Sequence, residues 1–77
     1  MGMVVLGVAA LLLAGCASNE RFLWEEYTTA GIQAVRIGQY ARAEQLLTRA
    51  AQKAEGLGPQ EMGRSLNNLA ELYRRQG

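Results

Sequence analysis

Histidine is absent from the 77 residues, and cysteine occurs once. A single Cys excludes an intrachain disulfide, and without His an ordinary zinc cluster has no ligand set. A chain this short normally needs such staples, because its core is too small for more than marginal stability. It therefore depends on unusually good packing, a partner, a membrane or further residues. One-signed charge is also lacking: 8 basic against 7 acidic residues give +1. That balance carries no clustered basic footprint of the kind a nucleic-acid binder shows. It gives no sign of an acidic tail or a calcium site either. Strict polar–apolar alternation is missing and β-branched residues are scattered, so strands are disfavoured. The only proline falls in Gly56-Leu57-Gly58-Pro59, which has no following Lys and so is not a phosphate loop.

The charge that is present is unevenly placed. No charged residue precedes Glu20, whereas both signs mix throughout the remainder. From Met3 to Gly15 the chain reads MVVLGVAALLLAG, about thirteen residues or roughly 20 Å as a helix. That is short of the roughly 30 Å bilayer core and matches the apolar core of a secretory signal; a buried core helix is the alternative. The run ends in Leu13-Ala14-Gly15, and Cys16 follows directly. These four residues resemble the lipobox of bacterial lipoproteins. The resemblance implies a signal peptide over 1–15, cleavage before Cys16, and a diacylglyceryl thioether on Cys16 with fatty acylation (palmitate-like) of its new amine. It also implies a short linker over 16–20. Ala17, in place of Asp, implies passage to the outer membrane in Gram-negative cells; inner against outer membrane stays open, as does a free or core thiol. The positive segment expected before the apolar run is missing, which leaves open whether Met1 is the true start.

The remainder has helical periodicity. Leu23, Trp24, Tyr27, Ala30, Gly31 and Ala34 recur at three and four between Arg21 and Gly38. Ala43, Leu46, Leu47, Ala50 and Ala54 do so between Ala41 and Glu55. Leu66, Leu69, Ala70 and Tyr73 do so between Gln60 and Gln76. Gly38 stops the first helix, while Gly56 to Pro59 stops the second and starts the third. Short turns make neighbouring helices antiparallel.

A shift of thirty-nine residues brings Gly38 onto Gly77, and with it Tyr27 onto Leu66, Ala30 onto Leu69, Gly31 onto Ala70 and Ala34 onto Tyr73. With GQYARAEQLLTRAAQKAEGLGP and SLNNLAELYRRQG, the segment 21–77 resembles the tetratricopeptide repeat, in the longer variety found in kinesin light chains. The resemblance implies an all-α fold of antiparallel helix-turn-helix repeats, about one and a half repeats of an α-solenoid. In it Gly31 and Ala70 would be close-approach positions, and Tyr40 would pack back across the turn. Ala30 and Ala34 depart from the repeat's usual larger residues, which leaves the first helix loosely packed unless Trp24 or Ile37 compensates. An unrelated three-helix bundle is the alternative. One helix pair followed by a single helix implies an open face with Leu69, Leu72 and Tyr73. The chain then reads as the opening of a longer repeat protein, or as one that pairs with a second copy.

Catalysis finds no support, since the usual base and nucleophile pairs are missing. Glu25 and Glu26 point about 100° apart on a helix, and with Glu20, Glu44, Glu55, Glu61 and Glu71 they read as solvated. The sequence is therefore read as non-enzymatic, with no cofactor and no metal. The resemblance implies a concave groove for peptides or helices. It carries Asn67 and Asn68 onto positions whose amides contact a peptide backbone, and Arg74 lies where its guanidinium suits a carboxylate. The first-repeat positions hold Thr28, Thr29 and Val35. Three functions follow as expectations: a lipid-anchored scaffold binding a protein or peptide in the bacterial envelope, facing periplasm or exterior; a small structural lipoprotein that self-associates; or the regulatory N-terminal segment of an envelope enzyme.

Overall fold

The computed structural model describes residues 2–77, with side chains from Asn19 onward. Cys16 and the predicted signal segment lie outside the residues whose side chains are described. Among the described residues the chain forms three α-helices, α1 (Gly2–Arg36), α2 (Tyr40–Ala54) and α3 (Pro59–Gln76), each antiparallel to the next. No helix among them is long and apolar enough to cross a membrane.

The turns follow the glycines. Gly38 has φ +79°, its N–H bonds the Val35 carbonyl at 3.1 Å, and the Gln39 N–H bonds the Ala34 carbonyl at 2.8 Å. These two bonds close a Schellman motif, satisfying carbonyls that the last turn of α1 leaves unpaired. At the next turn Gly58 takes φ +145° and Pro59 opens α3, where its missing N–H costs no helical bond.

Two small apolar clusters hold the helices. Ala34, Val35, Ala43, Leu47 and Leu72 form the first, with Tyr40, Leu46 and Leu69 against its edge. Trp24, Ala50 and Ala54 form the second, flanked by Tyr27, Leu57 and Met62. Trp24 supplies the bulk expected of it, whereas Ile37 is 58 % exposed and lies outside both clusters. Alanines keep α1 and α2 close, and Gly31 makes the tightest approach. A Cβ there would sit 2.5 Å from Leu47 Cδ2 and 3.3 Å from the Leu47 amide nitrogen.

The third helix differs from its expected orientation in two respects. Leu72 is fully buried, not open, and Ala70 is exposed, not a close-approach position. The buried residues of α3 are Ser65 and Leu72, with Leu69 half-buried, while Leu66, Ala70 and Tyr73 face outward. The reason is angular: at about 100° per residue the apolar set on α3 spans two adjoining faces. One of these finds α2, and the other has no helix beside it.

Candidate binding groove

Helix α3 lies chiefly against α2, and polar contacts to α1 secure its start. Three contacts fasten that end. Trp24 Nε1 donates to Ser65 Oγ at 2.9 Å in a buried setting. Arg21 donates to Glu61 at 2.8 Å, and Arg64 lies 5.8 Å from the Trp24 ring centre, within cation–π range. The Trp24–Ser65 and Arg21–Glu61 links join residues 41 and 40 apart, so α1 and α3 run parallel in register.

Toward the other end α1 and α3 leave a cleft of about 190 Å³. Its floor is apolar: Ile32 and Val35 from α1 and Leu47 from α2. Arg36 stands on one rim, and Asn68, Glu71 and Arg75 stand on the other. The Asn68 Nδ2 is buried without a hydrogen-bond partner, as is the Thr28 Oγ1 on α1. The interhelical register places Thr28 level with Asn68. A buried donor without an acceptor costs about 1–3 kcal/mol, so its presence in a cleft wall calls for a ligand group or a water.

The electrostatics of the rim are partly internal. Glu71 accepts from Arg75 Nε at 2.8 Å and from Arg74 Nε at 3.0 Å. The hydrogen bonds from Arg75 and then Arg74 hold its carboxyl below the usual carboxylate range. The same pairing raises Arg75. Arg36 makes no ion pair among the described residues, so the cleft mouth carries a net positive charge beside an amide donor. Two further clefts, of about 350 and 360 Å³, are polar surface hollows, and the first is already bridged by Arg21 and Glu61.

Of the three residues expected to bind, only Asn68 lines the cleft. Asn67 is exposed on the next face of α3, about 100° round. Arg74 is also outward, its guanidinium engaged by Glu71 of its own helix. The cleft adds Ile32, Arg36, Glu71 and Arg75, and Ser65 adds the clamp that sets its closed end. Ser65 is a small polar side chain on the buried face of α3, and nothing in the sequence singled it out. Among the described residues no three His, Cys, Asp or Glu side chains cluster.

Fold and cleft define a small three-helix all-α protein. Comparison with protein-family models, with curated proteins and with solved structures finds no match.

Proposed function

We propose that the protein is a lipid-anchored interaction module of a bacterial envelope membrane, which holds an extended peptide segment of another protein between α1 and α3. The anchor reading is supported by the lipobox-like Leu13-Ala14-Gly15-Cys16. The binding reading is supported by the tetratricopeptide-like residues of 21–77 and, above all, by one observation: the unpartnered Asn68 amide buried in the wall of an apolar-floored cleft. An amide N–H there suits a main-chain carbonyl, which every peptide has, while Ile32, Val35 and Leu47 suit an apolar side chain. Arg36 favours a partner with a nearby carboxylate.

The test is selection from a displayed peptide library on the full chain held in detergent micelles. Selected peptides are expected to share an apolar residue beside an acidic one. Their affinity is expected to fall about tenfold or more with Asn68→Ala, the loss of one buried hydrogen bond to an otherwise orphaned partner. Unchanged helicity in circular dichroism would separate this from unfolding. Peptides that bind Asn68→Ala and Arg36→Ala as well as the parent chain would remove the groove from the reading.

A further inference from the structure

The two walls of the cleft differ in how their cations are held. On α3, Glu71 and Arg75 both line the cleft, and Arg75 Nε donates to Glu71 Oε1 at 2.8 Å. The other carboxylate oxygen, Oε2, accepts from the outward-turned Arg74, so both oxygens are engaged. On α1, Arg36 lines the cleft and has no carboxylate within ion-pair distance among the described residues. Two cations and one anion thus line one small site, and the anion belongs to the chain itself.

Glu71 stands where an acidic side chain of a bound peptide would otherwise pair with Arg75. Exchanging one carboxylate for the other gains little, because one exposed ion pair is lost for each one made. The exchange also favours the resident group, which sits one helical turn away and gives up no translational freedom to make its pair. Arg75 keeps free N–H donors, but a second carboxylate there would lie beside the first, and the two repel. The hydrogen bonds from Arg75 and Arg74 hold the Glu71 carboxyl below its usual range, so the resident group is charged at neutral and mildly acidic pH. Arg36 has no such competitor.

We propose that Glu71 is a specificity-determining residue of this groove: it masks Arg75, leaves Arg36 as the lining cation open to a ligand, and so limits the bound peptide to a single acidic side chain on the α1 side. The masking specifies the charge of the peptide proposed above and rests on that reading. The apolar floor of Ile32, Val35 and Leu47 takes the neighbouring side chain, and Asn68 on the opposite wall takes the main chain. Among peptides that fit the floor, the groove thereby discriminates against strongly acidic ones, which two open guanidiniums would otherwise draw in. A pair that served only to stabilise α3 would have no effect on ligand choice.

The experiment repeats the displayed-library selection on three full chains in detergent micelles: the parent, Glu71→Gln, and Glu71→Gln combined with Arg75→Gln. Peptides from the parent are expected to carry one acidic residue beside the apolar one, and those from Glu71→Gln two. The double variant is expected to return to one, because the unmasked cation is then gone. The shared apolar residue, kept in all three, reports an intact floor. A two-acid peptide is expected to bind Glu71→Gln about two- to fivefold tighter than the parent, the range of one exposed ion pair, with the difference narrowing in high salt. Equal acidic content from all three chains would overturn the inference. Two acidic residues from the double variant would overturn it as well, since the cation released would not be Arg75. Failure of the groove itself shows differently: parent peptides that share no apolar residue, or that bind Asn68→Ala unchanged, would remove both readings.

Discussion

At the residue scale, the tightest constraint is Gly31. The Leu47 side chain could yield to a new Cβ at that position, but the Leu47 amide nitrogen at 3.3 Å belongs to a helix backbone and moves only with α2. Gly31→Ala is therefore expected to destabilise by about 1–3 kcal/mol, the usual cost of overpacking, and Gly31→Leu by more. Thermal unfolding followed by circular dichroism checks both, and an unchanged midpoint would refute the close approach. Ser65 makes a second case. Ser65→Ala leaves the buried Trp24 indole N–H without an acceptor, at a cost of about 1–3 kcal/mol. Ser65→Thr is expected to recover part of that loss in the same melts. Gly31 was legible in the sequence because a glycine inside a helical rhythm calls for close packing. Ser65 was not, because periodicity ranks side chains by apolarity, and nothing local marks a hydroxyl that meets an indole 41 residues away.

At the scale of the elements, the end of α1 and the limits of α2 and α3 were readable almost to the residue, whereas the start of α1 was not: the sequence reading begins that helix at Arg21, and it begins at Gly2. Gly38, Gly56, Gly58 and Pro59 are local chemistry, and local chemistry is what a sequence displays directly. The faces were less readable. The sequence put Leu66, Leu69, Ala70 and Tyr73 in one apolar rhythm and Leu69, Leu72 and Tyr73 on an open face; Tyr73 is open, but the buried residues of α3 are Ser65 and Leu72. Two adjoining apolar arcs on one helix have the same period, and only the position of α2 decides between them. The same angular choice separates Asn68 in the cleft from Asn67 on the next face.

Ion pairs join and edge these elements, and they give the molecule an acid-sensitive component. Glu61 is held below its ordinary 4.5 first by the hydrogen bond from Arg21, and Glu71 by those from Arg75 and Arg74. A carboxylate whose folded pKa is depressed contributes stability above its unfolded pKa and loses it as pH falls through the folded value. The melting midpoint is thus expected to hold from neutral pH to about 5 and to decline below 4.5. The double variant Glu61→Gln, Glu71→Gln is expected to start lower and decline less. Both groups are surface pairs, so the contrast narrows in high salt. An identical acid slope in parent and variant would assign the decline to other carboxylates.

For the whole molecule, the predicted two-part organisation is tested at Cys16. The chain extracted from its native membranes is expected to begin at an acylated Cys16, and Cys16→Ser is expected to retain residues 1–15 and lose the lipid mass. An intact mass that includes Met1 and no lipid would overturn the anchor.

The lone tryptophan gives the molecule an optical property of its own. Trp24 is 5 % exposed, belongs to α1, bonds Ser65 of α3 and lies under the Arg64 guanidinium. Its surroundings therefore depend on α3 being seated, and α3 is the helix that carries the Asn68 wall of the cleft. Indole emission shifts to longer wavelength when water reaches the ring. The colour of one fluorophore thus reads, without any added label, whether the groove is assembled.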